Sequence, residues 1–209
     1  MANRIMRPVG IAITIAGYAL LAHYTNTMAK NSNLGALTAI APLAFFALLL
    51  AWNSNRRYLL LAALALTSLA AFSQWHAIKQ HFGLIYWLQD MGMLLVMLIT
   101  FGRTLVSGQK PLCVCLAEAT HAPLTSRHET YARNVTIAWT LFFASMALTS
   151  TLLFFFAPLA IWSVFANFMT LPLISLMFII EYLLRRHVLP EAQNAHILDA
   201  LRSFRNAEP

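Results

Sequence analysis

Residues 135–182 read VTIAWTLFFASMALTSTLLFFFAPLAIWSVFANFMTLPLISLMFIIEY, with no charged side chain before Glu181. Ala157-Pro158 divides this stretch into two apolar runs, 135–156 and 159–182. Each is long enough for the roughly 20 apolar residues that a helix needs to cross hydrocarbon. Inside lipid the backbone must satisfy its own N–H and C=O groups, so both runs are predicted helices joined by a tight turn. Pro172 lies within the second, where it removes one backbone donor and is expected to kink the helix.

The same pattern recurs upstream at 8–24, 34–52, 58–75 and 82–101, with Pro42 inside the second of these. Six crossings follow, the first and third being lean. The fold expected is all-α and polytopic, a single transmembrane bundle over 1–188 followed by a tail at 189–209. Composition agrees: 60% of the 209 residues are hydrophobic and 10% are charged. Soluble domains carry roughly 25% charged residues, so this chain cannot clothe a water-facing surface in the usual way. Its net charge of +7 would suggest nucleic acid in a soluble protein, but no basic face sits on a soluble module, and nucleic-acid binding is excluded.

The basic residues set the orientation. Arg4, Arg7, Arg56, Arg57, Arg103, Lys110, Arg127, Arg133, Arg185, Arg186, Arg202 and Arg205 fall on one side of a six-span arrangement, and only Lys30 and Lys79 on the other. Cytoplasmic loops are enriched in Lys and Arg, so both termini are expected in the cytoplasm. Arg4 and Arg7 before an apolar run also resemble a signal peptide, yet His23-Tyr24-Thr25-Asn26 makes a poor cleavage site, and a retained first helix is expected. Tyr24, Trp75, Tyr86, Trp87, Trp139, Trp162 and Tyr182 lie toward span ends and are expected at the membrane interfaces.

Outside the lipid, the one long connection is the cytoplasmic loop at 102–134. Within it Leu112–Ala119 (LCVCLAEA) is apolar but too short to span, which suits an interfacial or re-entrant helix. Cys113 and Cys115 lie there, on the reducing side, so no disulfide is expected. In the tail, Ile197, Leu198, Leu201 and Phe204 recur at helical spacing beside Arg202 and Arg205, the pattern of an amphipathic surface helix.

Two groups of residues invite chemistry. Gln89 and Asp90 lie inside the fourth span and Asn167 inside the sixth. An intramembrane carboxyl is costly and normally finds a partner, here Asn167 or a Ser/Thr of a neighbouring helix. Arg103, Lys110, His121, Arg127 and Arg133 cluster in the long loop. Guanidinium forks suit phosphate and carboxylate, and imidazole suits proton transfer, so these five are candidate anion- or substrate-binding residues. Positive-inside topology by itself also accounts for most of those charges. Glu181 and Arg185 have i, i+4 spacing for a helical ion pair. Glu118-x-x-His121 has the spacing of half a di-iron site, but the second half is missing and no standard zinc pattern occurs, so neither metal nor cofactor is expected. There is no G-x-S-x-G, Walker A, G-x-G-x-x-G or H-E-x-x-H, and catalytic residues are not assignable.

Phe101-Gly102-Arg103-Thr104-Leu105, Lys110-Pro111-Leu112, His121-x-x-Leu124-Thr125 and Tyr131-x-Arg133-Asn134-Val135-Thr136 carry a resemblance. Over about residues 100–140 the chain resembles a family of uncharacterised bacterial inner-membrane proteins encoded beside fatty-acid-synthase-like genes for aryl polyene or xanthomonadin-type pigments. The resemblance implies a setting of carrier-bound acyl chains and lipid-linked pigment, and brings no catalytic residues. The expected function is an accessory membrane protein that binds an acyl chain or docks carrier-protein enzymes at its basic cytoplasmic face. Its expected partners are membrane lipids and an acyl carrier protein or acyltransferase. The rivals are a membrane-embedded acyl-transfer or isomerase enzyme and a small transporter or exporter using Asp90.

Overall fold

The computed structural model describes residues 2–28, 33–106, 108–120 and 126–188. His121, the Leu124-Thr125 motif, Lys30 and the tail at 189–209 lie outside the described residues. The described residues are helical, with no strand: α1 (Ala2–Met28), α2 (Asn33–Trp52), α3 (Arg57–Ser73), α4 (Trp75–Gly102), a 3-10 turn (Arg103–Leu105), α5 (Leu112–Thr120), α6 (Ser126–Phe156), α7 (Leu159–Val164), a π-helical stretch (Phe165–Met169) and α8 (Thr170–Val188). Among them, four helical stretches are long and apolar enough to cross a membrane: Asn33–Trp52, Trp75–Leu105, Ser126–Phe156 and Leu159–Val188. Arg57–Ser73 is apolar but shorter, at 17 residues. In α3 no residue is buried, and in the apolar window of Leu159–Val188 only 6% is. Surfaces this apolar and this uncovered belong in lipid. The chain is a helical membrane protein.

Three sequence expectations need adjustment. The helix of the fifth apolar run starts at Ser126, within the 102–134 connection, because hydropathy marks only where a helix enters lipid and the backbone ladder continues past that point. In α4, His81 adopts φ −120° and ψ 21°, so a regular helix resumes at Phe82, where the apolar run was placed. Pro172 follows a π-helical stretch, so the helix is irregular just before it. Its ring would press on the carbonyl of Phe168, and the wider π turn relieves that crowding.

The chain divides into two compact units. The first comprises residues 1–95 and 145–169. Its core is Ala22, Ala39, Phe82, Tyr86 and Trp162, with Tyr18, Leu153 and Phe154 packed against it. Small residues let α2 approach closely: a Cβ on Gly35 would lie 3.0 Å from the Phe82 ring. The second unit comprises, of the described residues, those within 96–144 and 170–188. Trp139 anchors it, with ring centroids 4.7 Å from Phe178, 5.5 Å from Phe143 and 5.9 Å from Phe101. Tyr86, Trp139 and Trp162, expected at interfaces, are therefore core residues, exposed by 6%, 5% and 1%. Their polar tips find partners inside the protein or their rings find other rings, and that replaces the headgroup layer as their environment. Tyr24 and Tyr182 do remain exposed.

Candidate functional site

In the second unit, α5 is held by its own N-terminus. The first four amides of a helix have no intrahelical acceptor. Here Leu112 N–H donates to Thr104 Oγ1 (3.0 Å) and Cys113 N–H to Thr136 Oγ1 (3.2 Å). Val114 and Cys115 both donate to the Pro111 carbonyl, at 2.9 and 3.1 Å. Each hydroxyl is itself oriented, Thr104 donating to the Phe101 carbonyl and the fully buried Thr136 to that of Ala132. The 101–105, 110–112 and 131–136 motifs thus meet at one place and fasten α5. Lys110 Nζ donates to Glu118 Oε1 at 2.7 Å, bracing the same helix. That bond and the carboxylate charge hold the lysine above its ordinary pKa. Burial pushes the Cys113 thiol up, against the pull of its contact with Thr136, so it stays protonated and unreactive at neutral pH.

Beside this lies an open groove of about 520 Å³ lined by Ser126, Arg127, Thr130, Tyr131, Asn134, Leu184 and Val188. Arg127, Thr130, Tyr131 and Asn134 follow one face of α6, at i, i+3, i+4 and i+7 spacing. Leu184 and Val188 are one turn apart on α8. The Tyr131 hydroxyl donates to the Glu181 carbonyl at 3.1 Å and ties the two walls together. Glu181 also meets Arg185 at 3.6 Å, the i, i+4 pair anticipated from sequence. One wall therefore presents a guanidinium with hydroxyl and amide groups, and the other is aliphatic.

Of the five candidate anion-binding residues, Arg127 lines the groove. Arg103 and Arg133 are exposed and in no ion pair among the described residues, Lys110 is engaged by Glu118, and His121 lies outside the described residues. Among the described residues no three His, Cys, Asp or Glu side chains come together as metal ligands.

The intramembrane candidates fall in the first unit, and each has its own partner. Gln89 Nε2 donates to the Ala39 carbonyl (2.6 Å), in the turn of α2 that Pro42 disrupts. Neighbouring side chains commonly support the backbone near such a proline. Asp90 Oδ2 accepts from Ser150 at 2.5 Å, and Ser150 Oγ accepts from Trp162 Nε1 at 3.0 Å. Asn167 Nδ2 instead reaches Ser163, donating to its carbonyl (2.9 Å) and hydroxyl (3.1 Å). Of the two partners anticipated for Asp90, the neighbouring Ser is found and Asn167 is not.

Ser163, fully buried, is a second centre that sequence reasoning missed. Its hydroxyl accepts from Asn167 and from Asn26 Nδ2 (3.5 Å), and lies 3.1 Å from His23 Nδ1. The signal available in the sequence was the presence of Ser150 and Ser163 within apolar runs, where a hydroxyl must find a partner.

With this geometry the class of the chain is a helical membrane protein with hydrogen-bonded polar centres among its helices and an amphipathic groove in its second unit. No protein-family model, curated protein or solved structure matches it.

Proposed function

We propose that this chain is an accessory protein of an acyl-lipid or polyene pigment pathway in the bacterial inner membrane, and that it holds an anionic acyl species at a basic cytoplasmic face. On this reading the chain crosses the membrane six times with both termini in the cytoplasm, as the distribution of its Lys and Arg residues indicates. The carrying observation is the groove, in which Arg127 and the polar groups of Ser126, Thr130 and Asn134 face Leu184 and Val188. A guanidinium beside hydroxyls is the chemistry for a phosphate or carboxylate head, and two leucine-like side chains one turn apart suit an acyl chain. The exposed Arg103 and Arg133 extend the positive surface, which complements an acidic acyl carrier protein or its acyltransferase.

Native mass spectrometry with lipid analysis of the gently purified protein tests this, wild type beside Arg127→Ala, Arg103→Ala and His121→Ala. A defined acyl species or carrier protein retained by wild type and lost in Arg127→Ala is the expected result. The same bulk phospholipid in every sample would overturn the reading.

A further inference from the structure

Asp90 lies within the apolar stretch of α4 and is half-buried in the first unit. The hydrogen bonds that reach it have a fixed direction. Indole N–H is a donor only, so Trp162 donates to Ser150. Ser150 is fully buried, and of its two side-chain partners only Asp90 can accept its proton. The donors therefore run from Trp162 through Ser150 and end on Asp90 Oδ2. With Oδ2 engaged by Ser150, Oδ1 is the oxygen left to carry a proton.

Among the described residues no cation forms an ion pair with this carboxyl. The ion pairs among the described residues are Lys110–Glu118 and Arg185–Glu181, both in the other unit. In the first unit, α2, α7 and residues 145–156 of α6 contain no Asp, Glu, Lys, Arg or His. On α1 the titratable groups are Arg4 and Arg7 in its first two turns, then Tyr18, Tyr24 and His23, the last bonded to Ser163. From α3 they are Arg57 and Tyr58 at its first turn, where Arg57 donates to Tyr58. On α4 itself they are Tyr86, whose hydroxyl lies 3.4 Å from Thr25, and His76, Lys79 and His81 at or before the kink. A carboxylate without a counter-ion in a low-dielectric layer is costly, and taking up a proton removes that cost.

We propose that Asp90 is a proton-binding site within the membrane layer, taking up and releasing one proton on Oδ1 while Ser150 and Trp162 hold Oδ2. The proposal stands apart from the acyl-binding reading and shares no residue with it. The chain thereby carries one exchangeable charge in a helix that is otherwise uncharged from Phe82 to Gly102, the element a proton-coupled movement needs.

Infrared difference spectroscopy on the full-length protein in lipid vesicles, between about pH 4 and about pH 9, tests it. Wild type should show a protonated-carboxyl C=O band that disappears as pH rises, shifts in deuterated buffer and is absent from Asp90→Asn. Ser150→Ala should keep the band but move it to higher frequency, because the carbonyl oxygen loses its donor. Asp90→Glu should retain a titrating band at an altered frequency, which secures the assignment if Asp90→Asn does not fold. Identical spectra for wild type, Asp90→Asn and Asp90→Glu would overturn the proposal. So would an Asp90 band that does not change with pH, the signature of a permanently neutral structural carboxyl.

Discussion

Replacing Thr136 by Val keeps the volume and shape of a fully buried side chain and removes one hydroxyl. That hydroxyl is the acceptor for Cys113 N–H at 3.2 Å, and its own donation to the Ala132 carbonyl duplicates a bond the helix backbone already makes. The net loss is one acceptor for one amide at the start of α5. An orphaned buried amide costs about 1–3 kcal/mol. The cost falls on the docked state of α5 alone, because water satisfies the amide once the helix lifts away. The undocked population should therefore rise about 5- to 150-fold. Hydrogen exchange read by mass spectrometry over 112–120 should quicken by that factor, while peptides of the first unit are unchanged. Thr136→Ser, which keeps the oxygen, should exchange close to the wild-type rate. Exchange over α5 in Thr136→Val within twofold of wild type would refute the assignment of Thr136 as the fastening residue.

Three further outcomes follow from the same bonds. Ser150→Ala leaves Trp162 Nε1–H without its acceptor and Asp90 without its donor; at about 0.6–1.7 kcal/mol per intramembrane hydrogen bond, the loss in a detergent-unfolding titration should be about 1–3 kcal/mol, and an unchanged midpoint would count against the chain of donors. Gly35→Leu drives a side chain into the Phe82 ring, which a Cβ alone would approach to 3.0 Å; the expected cost is about 1–3 kcal/mol, and a matching Phe82→Ala should recover part of it. The Cys113 thiol, pushed up by burial, ionises later in the folded protein than in the unfolded chain. Its contribution to stability is therefore complete below the ordinary thiol value of about 8.5 and is lost as pH rises through the elevated folded value. Alkylation should accordingly modify the exposed Cys115 before Cys113 at neutral pH, and equal rates would contradict the burial of Cys113.

The parts of the fold that were legible in the sequence are those that depend on one segment and its solvent. An apolar run such as 135–156 has to be helical in lipid whatever its neighbours do. Leu112–Ala119 could be read as a short non-spanning helix from length alone, and Glu181 and Arg185 could be paired from their spacing. Pairings across the chain were not legible. Nothing in the spacing of Thr104 and Thr136 says that both cap α5, or that Ser150 selects Asp90 while Ser163 gathers His23, Asn26 and Asn167. Hydroxyls are common in membrane helices, where they can also bond their own backbone, as Thr140 does to Thr136 and Thr151 to Ala147. Only packing tells a hydroxyl that has turned inward on its helix from one that reaches a neighbour. The same ambiguity concealed Trp139 and Trp162, since an aromatic near a span end reads identically whether it meets headgroups or a core.

The capping of α5 bears on how the proposed anion site would work. A helix start inside a basic loop is ordinarily a ready site for phosphate, because its first amides point outward with nothing to bind. Here the Leu112 and Cys113 amides are taken by threonine hydroxyls and that of Val114 by the Pro111 carbonyl, while Pro111 itself has no N–H to offer. Backbone recognition is therefore closed at α5, and Lys110 is already engaged by Glu118. On the proposed reading, an anionic head must be met by guanidinium side chains, with Arg127 placed in the groove and Arg103 and Arg133 on exposed surface. Recognition of that kind depends on long exposed side chains, so it should weaken with salt and tolerate chemically different heads, phosphate or carboxylate, that share a negative charge and a pair of acceptor oxygens. Selectivity would then come from the aliphatic wall, where Leu184 and Val188 meet the chain. A site that accepts several heads and discriminates by the acyl chain is what an accessory protein of an acyl pathway requires, since the chain is the part that persists while carriers and headgroups are exchanged.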